Sequence, residues 1–142
     1  MKIREARPED APALAALLAE LGYPDDVEAV AGRARAFPAD PASFLLVAED
    51  EEGPAGLASA TVLPLLHEDG GWCRLSALVV AKGRRRTGIG RTLVAAIEER
   101  ARQAGCRYLE VTSGERPERD PAHAFYRALG LEEVSRRYLK PL

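Results

Sequence analysis

The chain has 142 residues, 46% of them apolar and 30% charged, a balance that fits one globular domain over residues 1–142 and excludes disordered and fibrous classes. Its formal net charge of −2 lacks the basic excess of a general nucleic-acid binder, and no stretch approaches the ~18 apolar residues of a membrane span. The charged start "MKIREARPED", and two cysteines, Cys73 and Cys106, with no partner at metal-ligand spacing, lead us to expect a reduced, cytoplasmic protein without a metal site.

In chain order, "KIREA" predicts a first strand. "RPEDAPALAALLAELGYP" predicts a helix: Pro8 stands near its first position, Glu9 and Asp10 complement its positive end, Leu14, Leu17, Leu18 and Leu21 form an apolar stripe, and Gly22 follows its last turn. "DDVEAVAGRARAFP" predicts a second helix, capped by Asp25 or Asp26, with Pro38 beyond its end. From Ser43 come the β-rich runs "SFLLVAED", "GLASATVLPLL" and "WCRLSALVV", separated by the turn signals "EEGP" and "HEDGG", which predict an antiparallel meander. "GIGRTLVAAIEERARQAG" is a helix pattern with Ile89, Leu93, Ile97 and Ala101 on one face and Gly105 at its end. "RYLEVTS" reads as a strand, "GERPERD" as a loop, "PAHAFYRALG" as a short helix and "LEEVSRRYLKPL" as a last strand. The expected class is α/β with the order β α α β β β α β α β, and the strands flanking the long helix should run parallel, making the sheet mixed.

A basic stretch interrupts this pattern. In "VVAKGRRRTGIGRTLV", Val79 to Val94, a strand-like run meets Lys82, Arg84, Arg85, Arg86 and Arg91 with no acidic residue among them. A nucleotide-triphosphatase phosphate loop needs Lys and Ser/Thr after its second glycine, where Ile89 and Gly90 follow Gly88 here. A dinucleotide fingerprint needs a third glycine where Leu93 stands. The feature common to both is present: glycines that let backbone N–H groups turn inward, then a helix start whose first N–H groups lack internal partners and whose dipole favours an anion. Spacing alone leaves a pyrophosphate site and a solvated basic turn both open.

"LVVAKGRRRTGIGRTLV" resembles the coenzyme A loop of the GNAT family of N-acetyltransferases, whose signature Arg/Gln-x-x-Gly-x-Gly/Ala is matched by Arg85, Gly88 and Gly90. The order of elements agrees, "IREARPEDAPALAALL" resembles the family's opening, and "AHAFYRALGL" resembles its closing helix and turn. The resemblance implies the GNAT acyl-CoA N-acyltransferase fold and acetyl-CoA as donor. Its pyrophosphate would lie on the backbone of Arg85, Arg86, Thr87, Gly88, Ile89, Gly90 and Arg91, and its pantetheine arm beside Leu78, Val79 and Val80. Lys82 and Arg86 depart from the proline and glycine frequent in the family.

Acyl transfer to an amine needs an unprotonated amine, a donor for the oxyanion and a proton for the departing thiolate. The resemblance implies Tyr126 as the acid, with a phenol protonated at neutral pH, and a backbone N–H near Val79 or Val80 as the oxyanion donor. The glutamate that many relatives carry on the fourth strand is absent from "RLSALVV". Glu110, His67 and a water chain stay open as routes for the amine's proton, while His123, Arg116 and Arg119 fit surface roles. The expectation is an acyltransferase that moves an acetyl group from acetyl-CoA to a primary amine of a small molecule or peptide by direct attack in a ternary complex. Neither cysteine has an activating neighbour for a covalent route. The competing expectation, prompted by the absent glutamate, is a non-catalytic coenzyme A-binding sensor or interaction domain. No nucleic-acid or membrane partner is expected; homodimers are common in the family, but no stripe of this sequence demands one.

Overall fold

The apolar runs between Ser43 and Val80 pair where the turn residues let the chain double back. In the computed structural model, which describes all 142 residues, β2 (Ser43–Asp50) and β3 (Gly53–Leu63) form a hairpin over Glu51 and Glu52, with Gly53 at a φ of 109° that suits glycine. β3 pairs antiparallel with β4 (Trp72–Val80), and β1 (Lys2–Glu5) pairs antiparallel with β2. α4 (Ile89–Gln103) carries the chain from β4 to β5 (Tyr108–Val111), and those two strands are parallel. The sheet is mixed, as expected, in the order β1-β2-β3-β4-β5.

Helices pack on both faces. α1 (Ala11–Leu21) and α2 (Val27–Ala34) bury Leu14, Leu17 and Val30 against Val47, Leu57 and Val79. On the opposite face α4 buries Leu93, Val94 and Ile97 with Leu46, Ala58, Cys73 and Leu75. Gly56 permits that approach, since a Cβ there would meet the Val79 carbonyl oxygen at 3.0 Å and the side chains of Ile89 and Leu93 at 3.2 Å.

At the corner between β1 and α1 the guanidinium of Arg4 uses all its donors. Nη1 and Nη2 donate to Asp10 at 2.7 and 2.9 Å, Nε and Nη2 donate to Glu49 at 3.0 Å, and Nη1 also reaches the Glu5 carbonyl. The Arg4 bonds hold the buried Asp10 carboxyl below its ordinary pKa against the opposing effect of burial.

Two expectations fail. The second helix ends at Ala34, and Pro38 lies inside a separate short turn, α3 (Ala36–Ala39). Pro38 has no N–H to offer the Ala34 carbonyl, so the ladder of α2 cannot run on through it. The expected last strand is also absent: residues 131–142 form no strand, β5 is the sheet edge, and the observed order is β α α α β β β α β α. Along that segment Val134 and Tyr138 share their strand face with Glu132, Arg136 and Lys140, while Leu131 and Leu139 share theirs with Glu133 and Arg137. Neither face is apolar enough to be buried, and Val134, Tyr138 and Leu139 are exposed.

Candidate active site

Two irregularities in β4 shape the site. β5 pairs with it only from Trp72 to Leu75, so the edge of β4 beyond Leu75 has no strand beside it. The register with β3 also slips: Ser59 faces Ala77 and Ala60 faces Leu75, leaving Ser76 as a bulge. Past the bulge, the Ala81 N–H donates to the Ala55 carbonyl at 2.8 Å and Val79 lies opposite Leu57. The alternation of an antiparallel ladder therefore directs the Val79 N–H into β3, and those of Leu78 and Val80 out toward the open edge. The N–H of Val79, one of the two expected oxyanion donors, is thus committed to the sheet, while those of Leu78 and Val80 are free of it.

The chain leaves β4 through a turn at Lys82–Arg84 and enters α4 by way of Arg86, at φ 63°, and Gly88, at φ 86°. No backbone N–H from Arg85 to Arg91 donates to a protein group: the loop's bonds are made by Ala81, Lys82 and Arg84, and the α4 ladder begins with the Thr92 N–H on the Gly88 carbonyl at 3.0 Å. Gly88 caps the helix with no side chain. The result is a continuous run of N–H donors at the positive end of α4.

The basic side chains divide in two. Arg84 pairs with Asp50 and Glu52, and Arg85 Nε donates to the Val80 carbonyl at 3.1 Å, whereas Lys82, Arg86 and Arg91 are exposed and pair with no carboxylate. Glu20, at the end of α1, accepts the Lys82 N–H at 3.0 Å from a position 62 residues away. Glu20 and the Arg84 pairs thus pin the loop from two sides, and no local pattern in the sequence marks either.

α5 (Asp120–Ala128) reaches this loop because of Gly90, where a Cβ would lie 3.3 Å from Phe125 Cζ. That contact brings the next residue, Tyr126, into the core beneath α4, its ring edge-on to Phe125 at 5.6 Å. The Tyr126 hydroxyl bonds to no protein group and keeps contact with solvent. Burial raises its pKa above the ordinary phenol value, with the Arg119 charge opposing, so the proton stays in place at neutral pH.

The other candidates are occupied or distant. Arg74 Nε donates to Glu110 at 2.7 Å, His67 is exposed in the β3–β4 loop, and a His123 ring nitrogen lies 2.8 Å from the Gly114 carbonyl. Arg119 reaches Ser113 at 3.4 Å, and Arg116 is exposed. Burial pushes the Cys73 thiol up to about 11 and also raises Cys106, which keeps both in the unreactive thiol form.

Residues 11–131 match the model of the acetyltransferase (GNAT) family. The chain belongs to that family. Acetyl transfer is therefore its class of chemistry. Aminoglycoside N(6′)-acetyltransferase type 1 of Stenotrophomonas maltophilia is 48% identical over 50 residues, a match that spans 35% of this chain and only 31% of that protein. A putative acetyltransferase from Agrobacterium tumefaciens str. C58 superposes with a TM-score of 0.87 at 25% identity over 100% of both chains. At 19% identity the fold is shared with aminoglycoside N-acetyltransferase AAC(6′)-Iy in complex with CoA, at a TM-score of 0.85 over 99% of this chain and 93% of that one. Among GNAT proteins, the glycine frequent at the position of Arg86 finds its reason in the left-handed φ of 63° that this chain adopts with arginine.

Proposed function

We propose that the chain, as one domain over residues 1–142, transfers an acetyl group from acetyl-CoA to the primary amine of a small molecule in a ternary complex. The observation that carries this reading is the unpaired N–H run from Arg85 to Arg91 at the end of the strand that β5 has left. These residues fit the donor: the run, the α4 terminus and the unpaired Lys82, Arg86 and Arg91 suit a pyrophosphate, and the open edge of β4 suits an amide-bearing arm.

When bound, acetyl-CoA supplies an acyl carbon activated as a thioester. An arm that starts at the loop and runs toward the fork between β4 and β5 meets Val80 first and Leu78 last. Val80 N–H would accordingly hold the arm, and Leu78 N–H, free of the sheet, would supply the donor for the acyl oxygen. Tyr126 keeps a proton at Oη for the leaving sulfur. Glu110 is held by Arg74, so the amine's proton is assigned to solvent water. The aminoglycoside acetyltransferases among the similar proteins support a small-molecule amine as acceptor. A cytoplasmic setting is supported by the two free cysteines, and no helix is long and apolar enough to cross a membrane.

Calorimetric titration with acetyl-CoA, with ATP and NAD as controls, tests the donor site. Saturable binding of acetyl-CoA is expected. It should weaken about tenfold or more in Gly88→Val, where the added Cβ meets nothing within 4 Å but the positive φ is disfavoured. A folded protein that does not bind acetyl-CoA overturns the proposal.

A further inference from the structure

A polar surface lies across the sheet from Tyr126. In β4 the side chains of Trp72, Arg74 and Ser76 alternate with those of Cys73 and Leu75, which face α4, and so stand on the face that α1 and α2 cover only farther along, at Val79. Before the bulge that face is uncovered, with Arg74 and Ser76 exposed. Thr61 and Glu110 flank Arg74 in register on the neighbouring strands. Trp72 is fixed edge-on to Tyr108 at 5.6 Å and donates from Nε1 to Glu68 at 3.4 Å.

The charges here are arranged asymmetrically. Glu110 takes only the Nε of Arg74, at 2.7 Å, and no protein group accepts from Nη1 or Nη2 of this side chain, which is 50% exposed. One carboxylate thus orients the guanidinium and leaves its outer pair of N–H donors turned to solvent, a geometry suited to a second carboxylate.

Resting on the acetyl-CoA reading above, we infer that Arg74 is a specificity-determining residue that binds the carboxylate of a small acceptor carrying both an amine and a carboxylate. Along the strand, Arg74 and Leu78 are about 10 to 13 Å apart, and the reach of the arginine side chain closes part of that distance. The acceptor's amino group then meets the donor from the face opposite Tyr126, while its carboxylate stays on Arg74.

Matched pairs of probes test this: 4-aminobutyrate and propylamine, L-ornithine and putrescine, L-lysine and cadaverine, with kanamycin as a polycation. Acetyl transfer is followed by thiol release after calorimetry has established acetyl-CoA binding. The carboxylate-bearing member of at least one pair should exceed its partner about tenfold or more in kcat/KM. Arg74→Met should erase that advantage through KM, with kcat held within about threefold and the melting temperature unchanged, and Arg74→Lys should retain part of it. The inference is overturned by a preference for the decarboxylated amines or kanamycin, by an unaltered preference in Arg74→Met, or by no turnover of any pair in a protein that binds acetyl-CoA. A protein that does not bind acetyl-CoA overturns the donor reading, and this inference with it.

Discussion

Tyr126→Phe separates an acetyltransferase from a coenzyme A-binding module. The substitution deletes a hydroxyl that bonds to no protein group, so folding loses no hydrogen bond and the melting temperature should stay within about 2 °C. The chemical step should respond, since positioned acids and bases contribute typically about 10²- to 10⁴-fold. Burial lifts the phenol above its ordinary value, and so further above an ordinary thiol, which makes the proton's transfer to the sulfur uphill. That cost sets the expectation at the low end, about a 100-fold loss in kcat, equivalent to about 2.7 kcal/mol. Thiol release at saturating acetyl-CoA, with an amine accepted by the parent, gives kcat; calorimetry should give an unchanged Kd. A kcat within about threefold of the parent at equal Kd would refute the reasoning, because water would then protonate the leaving sulfur. In the parent, the raised pKa keeps the acid form populated, so Tyr126 should produce no alkaline fall in kcat below about pH 10.

Asp10→Asn breaks a buried pair with Arg4, and because Glu49 still holds the guanidinium, the low end of the range applies: about 3 kcal/mol, read calorimetrically as roughly a 10 °C fall in Tm. Folding lowers the Asp10 pKa through Arg4, so its contribution is present above the unfolded value near ~3.9 and is lost as pH falls toward the folded one. Below about pH 4 the Tm of the parent should accordingly drop more steeply than that of Asp10→Asn, and parallel curves would contradict the assignment. Arg86→Gly relieves the strain at φ 63°, worth roughly 1–2 kcal/mol, against roughly 0.5–1 kcal/mol of added chain entropy on unfolding. Denaturant titration should therefore show a net gain of about 0.5–1 kcal/mol, while the lost cation weakens acetyl-CoA binding a few-fold in a salt-dependent way. Gly90→Val drives a side chain into Phe125 and should cost about 1–3 kcal/mol together with most of kcat, as Tyr126 is displaced; an unchanged kcat would show that α5 does not position the acid.

The sequence by itself determined the parts built from local patterns. Spacing alone left the loop of Arg85, Gly88 and Gly90 open between a pyrophosphate site and a solvated turn, whereas period-two runs and their turn residues specified β2, β3 and β4 and the four-residue recurrence from Ile89 to Ala101 specified α4. Each of these follows from backbone preferences that act within a few residues. In the tail the same local reading of "LEEVSRRYLKPL" projected a strand that does not form, because neither of its faces is apolar enough to be buried. Only the tertiary structure decided which N–H groups of β4 face outward, since that depends on its register with β3 and on where β5 diverges. It also decided that Glu20 and Arg84 pin the loop, and that Arg74 meets Glu110 with its outer donors unpaired. These partners lie tens of residues apart, and a charged or polar side chain carries no local signal of the one it will meet once the hydrophobic faces have fixed the packing.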